Sequence, residues 1–342
     1  MKISIDYIAR VEGEGAIKFD IEDGVLKDLK LNIWEPPRFF EGFLCNRRYD
    51  EVPDIVARIC GICPVSHMTT AIRALEKALG FTPAPDSITL RKVMALSQIV
   101  SSHLVHLYML ALPDYYRLYS IPDMFPRFEP EIRRLNRMKK VVNEVTALFG
   151  GRALHPVSMV VGGFTSLPPR DKIEKIKYEL ENIKDDAKET LRMVSDLLFP
   201  DLTHNTEYVA ISSPPHYAIN EGFIISQNGV KIGEDEYYSI FKEDEVSYSN
   251  AKRTVIKGKD SFMVGALARL NLKFDLLHED AKEAAEEIGF KVPDYNPFHN
   301  NLAQAIEIVH GISECRELLD KVILRKPEIG IKVREGEGRV LQ

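Results

Sequence analysis

At 342 residues, 45% of them hydrophobic and 28% charged, the chain is long enough for a large core and for more than one substructure. A net charge of −6 leaves no basic footprint for nucleic acid. No uninterrupted run of about 18 apolar residues reads as a membrane span, and Met1 to Asp6 lacks the apolar centre of a signal peptide. Four cysteines are too few for a disulfide framework in a chain this size, so a reducing, cytoplasmic setting is expected.

Residues 2–34 read as antiparallel strands. Ile3, Ile5 and Tyr7 alternate with polar neighbours, and β-rich runs over 16–21 and 25–33 flank the turn pair Asp23-Gly24. Pro36-Pro37 breaks that pattern. Val52, Ile55, Val56 and Ile59 then follow helical spacing. A helix is expected over 66–79, stopped by Gly80, and a long, strongly apolar one over 87–112, ended by Pro113. Further helices are expected over 129–149 and 171–198, the second with Ile173, Ile176, Leu180 and Ile183 on one stripe. Residues 205–260 read as short strands, among them 237–241, and helices resume over 261–272, 275–287 and 300–324. The fold class is α+β and predominantly helical. Four regions follow: 1–49, an N-terminal β region with the Glu41 loop; 50–204, a helical core; 205–260, a small β-rich insertion; and 261–342, C-terminal helices.

The segment Arg58-Ile59-Cys60-Gly61-Ile62-Cys63-Pro64-Val65-Ser66-His67 is the chemically richest. Two thiols three residues apart can grip one soft or borderline metal if the backbone turns between them, as Gly61 permits. Three readings compete. Cys45 and His67 could join the pair in a closed structural zinc set. A redox dithiol is weaker, because that motif opens a helix after a strand and here the pair follows a helical pattern. The third reading is a catalytic metal centre whose other ligands lie far along the chain. His103 and His106, at i, i+3 on the apolar helix, have metal-binding spacing but read better as histidines satisfied by hydrogen bonds.

Pro37 to Leu44 together with Arg58 to His67 strongly resembles the large subunit of nickel–iron hydrogenases, in the cytoplasmic, multisubunit branch. Arg10-Val11-Glu12-Gly13, Ser102 to Leu107, Ala111 to Asp114, Gly151 to Pro156, Asn300 to Ala305 and Val333 to Gly338 extend the likeness in family order. The resemblance implies a hydrogenase large-subunit-like helical core and reversible heterolysis of dihydrogen at a nickel–iron centre whose iron carries carbonyl and cyanide ligands. It implies electron transfer to an iron–sulfur small subunit, with further electron-transfer subunits beyond it. By the same likeness Cys60 and Cys63 are the N-terminal thiolate ligands. His67 is the histidine hydrogen-bonded to the bridging sulfur, and Glu12 the carboxyl that passes protons. Glu41 belongs to a magnesium-type site and Asp114 to the canopy over the metals.

The family pattern continues past the Glu335-Gly336-Glu337-Gly338 segment to an arginine, a second Cys-x-x-Cys and a histidine, which these residues do not contain. The expectation is therefore a centre incomplete or absent in this chain alone. The rival expectations are a non-catalytic structural or assembly homologue and a structural zinc-binding protein. A related quinone-reducing subunit is a further rival, disfavoured by the retained cysteine pair.

Overall fold

The structure is a computed structural model that describes every residue except 12, 37, 121, 126, 218, 260, 325–330 and 342. The chain divides into two compact units, residues 1–46 with 236–262, and residues 47–235 with 263–342.

The first unit is built on an antiparallel three-stranded sheet, β1 (Lys2–Ile5), β2 (Gly15–Glu22) and β3 (Val25–Ile33), in the order β1-β2-β3. Asp23 and Gly24, both at positive φ, make the β2–β3 turn, as the Asp-Gly pair demands. The register pairs Ile5 with Ile17, Ile17 with Leu31, Ile3 with Phe19 and Phe19 with Leu29, so one face of the sheet is continuously apolar. Ile5, Leu26, Leu29 and Leu31 on that face are exposed. The helix α1 (Arg38–Leu44) follows, with the exposed rings of Phe39 and Phe43 stacked at 5.9 Å. The strand expected over 237–241 is instead one helical turn, Tyr237–Ile240, followed by a strand from Phe241. Tyr237 and Phe241 stack at 4.9 Å and 11°, a contact that i, i+4 spacing on a helical turn allows and that the roughly 13 Å between the same positions on an extended strand does not.

The second unit is helical around α4 (Pro85–Val105), whose Val93, Met94, Val100 and Leu104 are fully or almost fully buried. It is preceded by α2 (Val52–Val56) and α3 (Pro64–Leu79). Each such apolar side chain removed from water contributes about 1.5–3 kcal/mol. Pro113 does not end this helix. Residues His106–Ala111 take π-helical turns, with the Leu112 N–H bonding to the Leu107 carbonyl, and α5 (Leu112–Tyr115) carries on through the proline. The widened turns accommodate a residue that has no N–H to offer. Pro85 to Tyr115, 31 residues, is long and apolar enough to cross a membrane, but 67% of its most apolar window is buried inside the protein, as in a core helix.

Packed on it is α6 (Glu129–Gly150), and α7 (Arg170–Asn182) and α8 (Lys184–Ser195) pack in turn against α6. The single helix expected over 171–198 is broken at Ile183, which leaves helical geometry while the buried stripe continues through Ala187, Leu191 and Val194. The helices α9 (Ala266–Lys273), α10 (Glu279–Glu287) and α11 (Asn300–Lys321) close the unit. Short strands Glu207–Ser212, Phe223–Ser226 and Lys231–Ile232 pair antiparallel.

Two buried ionic braces cross the helices. Arg91 of α4 donates to both carboxylate oxygens of Glu76 of α3 at 2.7 and 2.8 Å, and Gly162 N–H donates to Glu76 at 2.8 Å. Deeper in, Glu307 of α11 accepts from Arg269 at 2.6 and 2.7 Å, His103 at 2.8 Å and Tyr217 at 2.5 Å. Burial alone would raise the Glu307 carboxyl, but the Arg269 guanidinium and the other donors hold it well below its ordinary range. His106 donates from Nδ1 to Gln304 at 2.6 Å. His103 and His106 are thus both hydrogen-bonded helix residues, as expected.

Candidate metal centre

The cysteine loop joins α2 to α3. After α2 a single 3-10 turn, Ala57–Ile59, leads into Cys60, which is extended at φ −145°, ψ 136°. Cys63 then occupies the N-cap position of α3 and Pro64 its first turn, where a missing N–H costs nothing. Between the two cysteines the chain turns about a sulfur. The backbone N–H groups of Ile62 and Cys63 donate to Cys60 Sγ at 3.3 and 3.2 Å. Gly61 is not in the left-handed region, and a Cβ there would meet nothing within 4 Å. The turn that Gly61 permits therefore does not depend on it; the sulfur supplies the acceptor that folds it.

Both thiols are half-buried and reduced. His67 lies one turn into α3, its backbone N–H bonded to the Cys63 carbonyl at 3.4 Å. Burial pushes its imidazole below the ordinary histidine value, so the ring is neutral near pH 7 and can give one N–H and accept at the other nitrogen.

The remaining candidates lie elsewhere. Glu12 is outside the described residues. Glu41 belongs to the first unit, where it is exposed and paired with Arg38 at 3.4 Å. Asp114 is exposed on α5. Cys45 is exposed in the first unit, and Cys315 is a buried core thiol, pushed up by burial and bonded to the Val93 carbonyl at 3.5 Å. Among the described residues no group of three or more His, Cys, Asp or Glu is gathered where it could hold a metal ion. The loop itself has the chemistry of half a thiolate cradle, with two soft donors on one turn at a helix N-terminus and a neutral imidazole on the next.

Two side chains missed in the sequence brace this loop. Gln98 of α4 accepts from Val65 N–H at 2.5 Å and donates to Ser66 Oγ at 2.8 Å. His155 donates from Nδ1 to the Ala57 carbonyl at 2.7 Å. The signals in the sequence were, for Gln98, an amide within an otherwise apolar helical run, whose burial requires partners, and, for His155, its place inside the Gly151–Pro156 stretch.

The fold is that of nickel–iron hydrogenase large subunits. It superposes on an NAD+-reducing [NiFe]-hydrogenase in the H2-reduced state with a TM-score of 0.84, at 23% identity over 94% of this chain and 77% of that one. It superposes on the Ni-Fe-Se hydrogenase of Desulfomicrobium baculatum with a TM-score of 0.72, at 21% identity over 98% of this chain and 82% of that one. The family model for nickel-dependent hydrogenase matches residues 38–127. The alpha chain of sulfhydrogenase 1 from Pyrococcus furiosus is 36% identical over 99% of this chain and 80% of its own length. The alpha chain of sulfhydrogenase 2 from the same organism is 35% identical, again over 99% of this chain and 80% of its own. The chain belongs to the nickel-dependent hydrogenase family, on the side of its large, alpha subunits, and that family implies a nickel–iron centre.

Proposed function

We propose that this chain takes part in the reversible cleavage of dihydrogen, with Cys60 and Cys63 as two of the thiolates that hold a nickel–iron group. The observation that carries this reading is the turn built around Cys60 Sγ at the N-terminus of α3, in a chain of this family. The chemistry that such a group supplies when bound is heterolysis of dihydrogen, its iron carrying carbonyl and cyanide that no side chain provides. Cys60 and Cys63 would hold it, and the two N–H groups on Cys60 would fix that sulfur's direction. The neutral His67 ring would offer a hydrogen bond to the sulfur nearest it. Glu12 would accept and pass on the proton, as a carboxyl can. Glu41 would serve a magnesium-type site and Asp114 the space above the metals.

Two further thiolates are needed for a four-sulfur set. These 342 residues therefore would not hold the centre by themselves. Electrons would leave through an iron–sulfur partner to onward carriers, since a chain with four cysteines has too few for a cluster of its own beside this site. The exposed apolar sheet face of the first unit suits such a partner. A cytoplasmic location is part of this reading, since four cysteines make no disulfide framework in a chain of this size.

The test is metal analysis and hydrogen-uptake assay on the assembled complex and on the isolated chain. Nickel and iron in the complex, lost together with uptake in Cys60→Ser and Cys63→Ser, are expected, with no uptake by the isolated chain. Zinc alone would point to a structural site, no metal to a non-catalytic homologue, and either would overturn the proposal.

A further inference from the structure

We propose that Gln98 and His155 are positioning residues that clamp the two ends of the cysteine loop and so set the directions of its sulfurs. This inference rests on the reading of Cys60 and Cys63 as metal donors.

At the far end of the loop, α3 starts without a side-chain cap of its own. Cys63 is the N-cap and makes no capping hydrogen bond from its side chain, and Pro64 has no N–H. The first donor left over is Val65 N–H, and it is taken by Gln98 Oε1 from the neighbouring helix at 2.5 Å. The same amide gives its own N–H to Ser66 Oγ at 2.8 Å. Gln98 is 6% exposed and sits among the buried Met94, Ala95 and Val100. An amide in such a place is costly unless both its ends are bonded, and here both bonds fall on the turn that immediately follows Cys63. The cap thus comes from α4, and it fixes where α3 begins.

At the near end, Ala57 is fully buried and opens the 3-10 turn that delivers Cys60. Its carbonyl accepts from His155 Nδ1 at 2.7 Å. His155 is at φ +47°, in the left-handed region, and its own carbonyl accepts from Arg152 Nε at 2.5 Å. The segment carrying it is folded back on the end of α6, with Val157 and Ser158 N–H both donating to the Gly150 carbonyl at 2.8 and 3.1 Å. A residue held in that strained conformation by its surroundings presents one fixed donor to the loop.

Residues 57–66 are therefore tied at both ends by side chains from two other elements, with Cys60 Sγ and its two N–H donors in between. Among the described residues no third protein ligand stands close enough to correct the geometry of the two thiolates. Groups that orient metal ligands through hydrogen bonds typically alter affinity 10–100-fold when removed. Plain satisfaction of buried polar groups would ask the same bonds of both side chains, and the experiment separates the two roles.

The probe is cobalt(II) titrated into the purified chain, read by its thiolate charge-transfer absorption, beside amide hydrogen exchange measured peptide by peptide. Gln98→Met keeps the shape and removes both hydrogen bonds. His155→Ala removes the donor, while His155→Asn keeps a donor at the same place and tolerates positive φ. Gln98→Met and His155→Ala should each weaken cobalt binding about ten-fold or more and speed exchange in 57–66, leaving other helices unchanged. His155→Asn should restore both readouts. Unchanged cobalt affinity in Gln98→Met and His155→Ala overturns the proposal, as does weaker binding accompanied by faster exchange throughout the protein. A thiolate band that is absent from the parent chain, or that survives joint replacement of Cys60 and Cys63 by serine, sinks the half-site reading instead. The exchange in 57–66 then still decides whether the clamp exists.

Discussion

His310 shows how far burial governs single residues in this protein. It is fully buried, its Nδ1 accepts from the His278 N–H at 3.0 Å, and its ring meets Tyr217 edge-on at 4.6 Å. Burial pushes it down to about 3, against the opposing pull of Glu307, while His278, Lys273 and Arg269 add to the depression. Between pH 6.5 and about 3 the unfolded chain binds a proton at this ring and the folded one does not. Stability from this residue is therefore complete above pH 6.5 and is lost as pH falls, at about 1.4 kcal/mol per pH unit. His310→Gln should lose less stability than the parent between pH 7 and pH 4 in urea unfolding. Parallel losses in the two proteins would remove the claim. The same logic explains why the site was only partly legible in sequence. Cys60, Cys63 and His67 lie within one short motif, whereas Gln98 and His155 reach the loop across 33 and 98 positions. Spacing along the chain carries no sign of such contacts.

Among the elements, α3 is shared by more partners than its amphipathic pattern suggests. Its N-terminus carries Cys63 at the N-cap and His67 one turn on, and its last turn carries the buried Glu76 that pairs with Arg91 of α4. Its outer side is covered by the segment 331–341, which has no regular secondary structure. That segment runs antiparallel to α3. Lys77 Nζ bonds to the Arg339 carbonyl at 3.0 Å, Arg73 to the Leu341 carbonyl at 2.9 Å, and Leu341 N–H to Glu234 at 3.0 Å. Two glycines make the approach feasible. A Cβ on Gly336 would run into the Ala78 carbonyl oxygen, and one on Gly338 into that of Ala74. Backbone cannot give way as a flexible side chain can. Gly336→Ala and Gly338→Ala should each lift the segment off α3, so that trypsin cuts after Arg334 and Arg339 several-fold faster. Cleavage at the parent rate would show that the packing does not hold the segment. What the sequence could not supply was the surface the segment lies on.

For the molecule as a whole, the open apolar face of the three-stranded sheet is the feature a monomer in water tolerates least. Leu29 and Leu31 stand on its edge strand β3, exposed and paired with Phe19 and Ile17 of the central strand. Contiguous apolar surface of this kind drives association until a partner covers it. The chain prepared alone should therefore self-associate, and Leu29→Lys with Leu31→Lys should shift its sedimentation profile toward monomer. A parent chain that sediments as a monodisperse monomer would mean that this face needs no partner.

The sequence by itself determined the family, the helical class, the antiparallel start and the position of the cysteine pair, because each is written in local patterns: a period of 2 or 3.6, a turn dipeptide, a short motif. The tertiary structure alone decided where patterns competed. It carried α4 on through Pro113 by widening the turns before it, and it broke the helix at Ile183 while keeping its buried stripe. It also formed the turn at Cys60 around a sulfur rather than a left-handed glycine, and closed the ends of that turn with Gln98 and His155. These outcomes depend on which groups from distant parts of the chain are buried together and must satisfy one another's hydrogen bonds, and that pairing exists only once the helices have packed.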